Sequence, residues 1–422
     1  MTARNPSRRE FLRAGVAAVA AAPVARGPFF HVPRRPRLRV LGTHVTLRES
    51  IRRQAEQDLD IDIEFFPGGD AAIMQQASTR PHSFDIFEQW SNTIRVLWQA
   101  RAIQGIDVGR IDAWSEVNDL TKKGRISETA PIGRGDAPHL LLHVQRDGTL
   151  GSKATDHISF LPYVHNVDSF GYRPDVVPAG EPYVGETWGW LLDERFHGRV
   201  ALANEPTIGL FDAALAAQAA GLMQFDDIGA MTRAEVDRLF DILVEKKRAG
   251  HFYGVWQTVP HSIELMRSDR IAIESMFSPA ATELCANGTP VHYAAPREGY
   301  RAWHGVMCLS SQIAEETVDA AYAFMNWWLS GWAGALIARQ GYYISVPERA
   351  REFMQEGEWE YWYLGKPASR DLPGPDGRTV VRRGESRRGG SYETRFSNIA
   401  VWNTVMNTYE HTLLRWSEFL SA

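Results

Sequence analysis

The residue types that usually carry catalysis or hold metals occur in this chain without the spacing that such chemistry requires. The 13 histidines are dispersed without an HExxH pair, and the two cysteines, Cys285 and Cys308, form no CxxC motif. No GxSxG elbow is present, and no GxGxxG or phosphate-binding loop follows a predicted strand. The sequence therefore predicts no cofactor, no metal site and no enzyme active site, and a binding protein is the simpler interpretation.

Aromatic side chains are the unusual part of the composition. The chain holds 14 Trp, 13 Tyr and 19 Phe, and tryptophans beside glycine or at strand ends are common places for residues that stack on ligands. An aromatic wall contributes buried area, and for a cation it adds roughly 0.5–2 kcal/mol per contact through the ring quadrupole. These residues favour non-covalent capture of a small organic solute.

The N-terminus carries an export signal. Residues 7–12 (SRREFL) hold the consecutive pair Arg8 and Arg9 of a twin-arginine signal, and an apolar stretch and an alanine-rich cleavage region follow. The apolar stretch is too short to cross a hydrocarbon core of roughly 30 Å, and the region contains no cysteine that could carry a lipid. We expect residues 1–25 to be removed, leaving a soluble periplasmic protein without lipid anchor or stable membrane insertion.

Length and charge limit the class of protein further. The roughly 390 residues after the signal are too many for one ordinary core and predict two lobes. The formal net charge of -5 becomes more negative once the basic leader is removed, which argues against nucleic acid as a partner. Two cysteines are too few for a disulfide framework, and we expect two free, buried thiols.

Alternating strand and helix signals open the mature chain. Residues 38–42 and 61–66 predict strands, and Thr46 with Glu49 predicts a capping box at the start of the helix between them. A helix at 71–77 and a strand at 84–87 complete a βαβαβ unit, which indicates a parallel sheet covered by helices.

Later segments predict the crossing between lobes and the closing elements. Residues 158–163 predict a strand that crosses between the lobes, and Thr232 with Glu235 predicts a second capping box. The Gly- and Arg-rich residues 370–390 predict a solvated loop without a core of its own, and residues 395–419 predict one or two closing helices.

Five segments, taken in this order, resemble the periplasmic solute-binding proteins of ABC importers, closest to the spermidine/putrescine-binding family. They are residues 187–192 (TWGWLL), 196–202 (FHGRVAL), 295–299 (APREG), Trp303, and Gly341 with Tyr342. The resemblance extends from Leu38 to about Ala350. It implies an α/β, two-lobed type II periplasmic binding fold, in which each lobe is a mixed, mostly parallel sheet flanked by helices.

The resemblance also implies the boundaries of the two lobes and the way in which they bind a ligand. Lobe 1 would comprise residues 37–163 and 297–345, and lobe 2 residues 164–296 and 346–422. A small-molecule ligand would lie in the cleft outside the carboxyl ends of the strands. Lobe closure would trap it, and the membrane subunits of the importer would recognise the closed monomer.

The family's ligand positions can be carried over to eight residues. Aromatic positions match Trp90, Phe277, Trp303 and Tyr342, and His44 or Thr43 stands where the family has a tryptophan. Asn204 and Glu205 stand in place of the family's aspartate-rich turn, and His304 follows Trp303, with Gly305 where the family has an aspartate. The predicted ligand-binding residues are thus His44, Trp90, Asn204, Glu205, Phe277, Trp303, His304 and Tyr342.

The departures from the family bear on the ligand. A desolvated ammonium needs a carboxylate partner, and Glu205 is the one acid retained in the carried-over set. A singly charged or quaternary amine is therefore favoured over a polyamine, and a neutral aromatic or sugar-like solute stays open.

Two further function classes stay open. An exported enzyme on a two-lobed scaffold would require a nucleophile–base pair in the cleft. Ferric iron could be held by paired tyrosines such as Tyr342 and Tyr343, but adjacent strand residues point to opposite faces. If Tyr342 faces the cleft, we expect Tyr343 to pack inward.

Overall fold

The computed structural model describes residues 35–422, so the arginine pair and the expected cleavage region lie outside the described residues. One twelve-stranded sheet runs through this part of the chain. Eight of its strands form a continuous hydrogen-bonded path, and we label them in chain order as β1 (Arg37–Thr43), β2 (Asp62–Gly68), β3 (Ile86–Trp90), β4 (Leu161–Tyr172), β5 (Val200–Ala203), β6 (Phe252–Trp256), β7 (Ile273–Met276) and β8 (Tyr300–Ser310).

The sheet is parallel at both ends and antiparallel in the middle. Its spatial order is β6-β5-β7-β4-β8-β3-β1-β2. Strand β1 pairs in parallel with β2 and β3, and β5 with β6 and β7. The long strands β4 and β8 pair antiparallel with each other and with the flanking β7 and β3. All residues of β4 and β8 are buried, as in strands that are covered on both faces.

Short strands complete the sheets. Ile103–Gln104 and Ile399–Trp402 pair with β8, and His292–Tyr293 and Tyr343–Ile344 pair with β4. A separate four-stranded sheet is formed by Ile106–Asp107, His143–Val144, Leu150–Gly151 and His157–Ile158, and a two-stranded hairpin by Leu372–Pro373 and Thr379–Val381.

Fourteen α-helices are assigned within residues 35–422. They are α1 (Glu49–Leu59), α2 (Asp70–Thr79), α3 (Ile94–Gln99), α4 (Asp119–Lys123), α5 (Gly209–Ala219), α6 (Arg233–Arg248), α7 (Val259–Arg267), α8 (Ser278–Ala286), α9 (Glu315–Leu329), α10 (Trp332–Ala338), α11 (Pro347–Arg351), α12 (Glu358–Trp362), α13 (Tyr392–Phe396) and α14 (Tyr409–Ser421). In this described part, no helix is both long enough and apolar enough to span a bilayer.

Separate apolar clusters pack on the two ends of the sheet. One surrounds β1, β3 and α9 and includes Val40, Phe87 and Met325. Another surrounds β5, α5 and α6 and includes Phe211 and Leu239. Helix α6 buries one apolar stripe in this cluster, whereas α5 is buried on nearly all sides.

The opening βαβαβ unit is confirmed, but the capping box predicted for its first helix, Thr46 with Glu49, is wrong. Helix α1 follows Arg48, which makes no side-chain capping bond, and Glu49 pairs with Arg52 and Arg53 instead. The second capping box is confirmed, because Thr232 Oγ1 accepts the Glu235 N–H and the Glu235 carboxylate accepts the Thr232 N–H.

Three later predictions need correction. The residues predicted as one strand at 158–163 belong to two separate strands, His157–Ile158 and Leu161–Tyr172, and the closing segment contains the strand Ile399–Trp402 between α13 and α14. Residues 370–390 are not only a solvated loop, because Leu372 and Val381 are buried in the hairpin. An ion pair at 2.7 Å between Arg378 and Glu283 links this hairpin to helix α8.

The cysteines are free, as expected, but they differ in exposure. Cys308 is buried on β8, whereas Cys285 near the end of α8 is exposed rather than buried.

Candidate ligand-binding site

The register of the two central strands places a carboxylate, a guanidinium and an indole side by side. Across the β4–β8 pair, Arg301 lies opposite Asp168 and Trp303 lies opposite Asn166. Residues two apart on a strand share a face, so Arg301 and Trp303 project from the same side of the sheet. Trp90, the last residue of β3, lies opposite Gly305 of β8.

Four aromatic side chains meet at this face. The ring centres of Trp90 and Trp303 are 4.5 Å apart at 62°, and those of Trp303 and Tyr342 are 4.9 Å apart at 79°. Phe277 lies beside them, with its ring centre 6.0 Å from the guanidinium carbon of Arg301. Edge-to-face contacts of this kind are favoured by ring quadrupoles.

A group of three buried charged side chains, Asp168, Asp212 and Arg301, lies directly against these rings. Asp168 accepts hydrogen bonds from Nε1 of Trp303 at 2.7 Å and from the Tyr293 hydroxyl at 3.1 Å. Arg301 donates through Nε to Asp212 at 2.7 Å and through Nη1 to Asn403 at 3.1 Å.

One nitrogen of this group is left without an acceptor. Arg301 Nη2 is 3.6 Å from Oδ2 of Asp168 and has no hydrogen-bond acceptor within residues 35–422. The side chains of Arg301 and Asp212 are fully buried. A buried donor without an acceptor is costly, so Nη2 is suited to donate to a ligand atom.

The electrostatics of the group depend on pH. Burial raises the pKa of both Asp168 and Asp212, and the Arg301 guanidinium opposes that rise. The pKa of Asp212 is raised to about 6. With both carboxylates ionised, two negative charges face one positive charge, and the group carries a net charge of minus one.

The cavity enclosed by these side chains is small. It is lined by Trp90, Asp168, Ile208, Phe277, Arg301, Trp303, Tyr342 and Asn403, and its volume is about 10 Å³. A space of this size holds about one water molecule. An organic solute can bind here only when the walls move apart.

The structure brings together four of the eight sequence-predicted residues. Trp90, Phe277, Trp303 and Tyr342 all line this cavity. The alternation expected for the tyrosine pair is also found, because Tyr343 packs away from the cavity against Tyr392, with ring centres 4.5 Å apart.

Three other predicted residues do not line the cavity. His44 is exposed in the turn after β1. Asn204 accepts the indole N–H of Trp416 at 2.8 Å. The Glu205 carboxylate accepts the Thr207 N–H at 3.1 Å, and its carbonyl accepts the first N–H groups of the α5 region. Glu205 therefore shapes the turn before α5, where four N–H groups lack helical partners.

His304 lies on the opposite face of β8 from Trp303, so the structure does not bring this predicted residue to the cavity. Neighbouring strand residues alternate, so His304 cannot share a face with Trp303. Its Nε2 lies 2.6 Å from Thr121 Oγ1 and its Nδ1 lies 2.9 Å from the Gly305 carbonyl. Burial lowers the pKa of His304 to about 4, so the ring is neutral at physiological pH.

Sequence reasoning missed two central residues of the site, Asp168 and Arg301. Arg301 could have been found, because it precedes Trp303 by two positions and strand alternation puts both on one face. Asp168 carried no local signal, since its partner is fixed by the register of β4 against the distant β8.

One cluster in residues 35–422 has the composition of a metal site. Ligand atoms of Glu194, His197 and His251 lie within 4.8 Å of one another. Lys246 already neutralises Glu194 through an ion pair, and Glu194 and His197 are exposed. The cluster is explained as a surface ion pair beside two histidines, apart from the aromatic site.

Comparison with known families decides the class of the protein. A family model described as bacterial extracellular solute-binding protein matches residues 51–361. The chain belongs to this family. Its members are named as extracellular binding proteins, which agrees with the aromatic site and with the resemblance drawn from the sequence. A search of curated proteins finds no significant match for this solute-binding protein.

Solved structures share the fold of this solute-binding protein at low sequence identity. The Tp0655 (TpPotD) lipoprotein of Treponema pallidum is 12% identical, covers 92% of this chain and 100% of its own, and gives a TM-score of 0.65. The spermidine/putrescine ABC transporter substrate-binding protein PotD from Streptococcus pneumoniae is 14% identical, with 91% and 99% coverage and a TM-score of 0.58.

A third neighbour extends the range of named ligands. AgtB from A. tumefaciens R10, solved in complex with agropinic acid, is 12% identical, with 92% and 99% coverage and a TM-score of 0.55. At such identities these structures speak for the fold alone, and they confirm the type II periplasmic binding fold.

Proposed function

We propose that this protein captures a small amine-bearing solute outside the cytoplasm and delivers it, as a monomer, to the membrane subunits of an ABC importer. The observation that carries the proposal is the meeting of Trp90, Phe277, Trp303 and Tyr342 around buried Asp168 and Arg301. Aromatic faces attract cations, and a buried carboxylate supplies the opposite charge.

The charge of the site supports one positive group on the solute. With both carboxylates ionised, Asp168, Asp212 and Arg301 leave one negative charge, which suits a single ammonium better than the several charges of a polyamine. Arg301 Nη2 has no acceptor among the described residues, so the solute should also carry an oxygen that accepts its hydrogen bond. A short ω-amino acid combines both groups.

A series of four-carbon compounds tests this assignment. Isothermal calorimetry at pH 7.5 would compare 4-aminobutyrate, putrescine and butyrate, which share a chain length and differ only in their ends. We expect 4-aminobutyrate to bind most tightly, because it alone carries one ammonium and one oxygen acceptor.

A matched pair of variants locates the ammonium partner. Asp168→Asn should weaken 4-aminobutyrate binding at least about tenfold, since it removes the buried charge. Glu205→Gln should change it little, because Glu205 bonds to its own turn. Tightest binding by butyrate, or a loss only in Glu205→Gln, would contradict the proposed roles.

The proposal retains the lobe boundaries at residues 37–163 with 297–345 and at 164–296 with 346–422. The separate apolar clusters at the two ends of the sheet support this division, and the small cavity supports opening before solute entry. Small-angle scattering should give a smaller radius of gyration with saturating 4-aminobutyrate. An identical curve with bound solute would contradict closure.

Export by the twin-arginine route, without a lipid anchor, also belongs to this proposal. The support is the pair Arg8 and Arg9 before a short apolar stretch. Replacing both by Lys should leave the precursor in the cytoplasm, as measured by cell fractionation and immunoblotting. Export at the wild-type level would contradict the route.

A further inference from the structure

A second cavity lies between α8, the His292–Tyr293 strand and the segment that carries α12, the hairpin and α13. Its volume is about 490 Å³. It shares no lining residue with the small aromatic cavity around Trp90 and Trp303, which we call the Trp90–Trp303 site. Cavities of this size hold small organic ligands in other proteins.

Three arginines line this cavity, and two of them form no ion pair within residues 35–422. Arg388 pairs with the buried carboxylate of Glu186 at 2.6 Å. Arg387 donates to the carbonyls of Gly341 at 2.9 Å and Trp362 at 3.2 Å, and to the Tyr343 hydroxyl. Its bonds therefore reach neutral acceptors.

Arg395 is surrounded in the same way. It donates to the carbonyl of Arg388 at 3.0 Å, to that of Val167 at 3.3 Å, and to the Tyr300 hydroxyl at 3.3 Å. Its side chain is fully buried, and its Nε has no acceptor in the described part of the chain. The hydrogen bonds that Arg395 does make reach only neutral oxygens, which do not neutralise its charge.

Positive charge without a directly paired anion therefore borders the cavity. Burying a cation without an anion is unfavourable, and aromatic faces compensate for only part of that cost. The guanidinium of Arg387 lies 5.0 Å from the Tyr343 ring centre and 5.1 Å from that of Trp362. The one carboxylate among the lining residues, Glu385, is exposed to solvent.

Much of the remaining wall is apolar or aromatic, with the polar side chains of Ser278, Thr282, His292 and Ser386 between these residues. The apolar and aromatic residues include Ala281, Tyr293, Tyr361, Val380 and Val381. We propose that this cavity binds a small organic anion, whose carboxylate or phosphate lies between Arg387 and Arg395 while its apolar body packs on these walls. The two sites are neighbours, because the Tyr293 hydroxyl donates to Asp168 at 3.1 Å, but the proposal assumes no particular solute at the Trp90–Trp303 site.

A natural reporter lies in the wall of the cavity. Cys285 is exposed and lines the cavity, whereas Cys308 is buried elsewhere on β8. Burial raises the pKa of both thiols, and more strongly that of Cys308, so the slow reaction of the native protein with Ellman's reagent at pH 8 should report Cys285, and a bound ligand should slow it further. Four probes of similar size separate charge from shape: benzoate, phenyl phosphate, benzyl alcohol and benzylamine.

We expect benzoate or phenyl phosphate to slow the Cys285 reaction at least about fivefold at saturation, and benzyl alcohol and benzylamine to leave it unchanged. Arg387→Gln should weaken the effective anion at least about tenfold in calorimetry. The matched control is Arg382→Gln, because Arg382 is exposed in the same loop and pairs with Asp371 at 3.1 Å.

A second variant keeps the test independent of charge and of any folding defect in Arg387→Gln. Ala281→Leu adds apolar volume to the cavity wall and should abolish anion binding while the arginines remain. No protection by either anion, equal protection by benzyl alcohol, or equal losses in Arg387→Gln and Arg382→Gln would overturn the proposal. Anion binding should persist in Trp303→Ala. A failure of the proposed solute site would therefore leave the result for this cavity unaffected.

Discussion

Trp303→Ala should weaken solute binding by at least about 2 kcal/mol, which corresponds to roughly a thirtyfold rise in Kd. The indole of Trp303 contacts both Trp90 and Tyr342, and its Nε1 holds Asp168 at 2.7 Å. Its removal takes away an aromatic wall and releases the carboxylate that we propose as the partner of the solute's ammonium. Calorimetry with the tightest binder of the four-carbon series measures the change.

The controls for Trp303→Ala separate binding from folding. Trp98→Ala makes the same substitution at a half-buried position that does not line the site, where the indole donates to the Gly148 carbonyl at 2.9 Å. It should leave the Kd unchanged. Trp303→Phe keeps a ring but loses the bond to Asp168, so its Kd should be intermediate. A wild-type Kd for folded Trp303→Ala would refute the assigned site.

Arg301→Leu should lower the free energy of unfolding by about 3–5 kcal/mol at pH 7.5, because it leaves two buried carboxylates without their cation. The side chains of Arg301 and Asp212 are fully buried and joined at 2.7 Å. Denaturant unfolding followed by circular dichroism measures the loss. Arg297→Leu should cost less than about 1 kcal/mol, because Arg297 is exposed and its partner Glu298 keeps its hydrogen bonds to Thr187 and Trp188.

The loss of unfolding free energy in Arg301→Leu should depend on pH in a definite direction. A buried carboxyl whose pKa is raised in the folded state binds its proton more tightly there than in the unfolded chain. Stability therefore rises as pH falls through the folded pKa, which for Asp212 is about 6 with Arg301 present. Without Arg301 that pKa should rise further, and the deficit of Arg301→Leu should shrink between pH 7.5 and pH 5. A deficit that grows on acidification would contradict this interpretation.

The parts of the fold that follow from local signals could be predicted from the sequence. Strand and helix periodicity gave the opening βαβαβ unit, and the Thr232–Glu235 capping box was correct because both partners lie within one helical turn. The Thr46 box failed because Glu49 found partners within α1, Arg52 and Arg53. A cap motif competes with other bonds that its residues can make.

Long-range pairing explains what the sequence could not show. Asp168 acquires its role only through the antiparallel register of β4 with β8. The hairpin within residues 370–390 is polar along most of its length, and its few apolar side chains become core only against the cluster around Tyr361 and Trp362. Neither feature has a local pattern.

Strand alternation accounts for both a success and a failure at the site. Applied to Tyr342 and Tyr343, it correctly put the two rings on different sides. The same rule, applied to Trp303 and His304, excludes His304 and includes Arg301. The sequence thus contained one more candidate residue for the site than the family resemblance supplied.

The most direct test of solute capture at this aromatic site does not require the solute to be known in advance. Native mass spectrometry would compare wild-type protein and Trp303→Ala, each purified without denaturation from the host that exports it. We predict a small organic adduct on the wild type that is absent from folded Trp303→Ala and retained by Trp98→Ala. An adduct of equal occupancy on all three proteins, or none on the wild type, would contradict capture at the Trp90–Trp303 site.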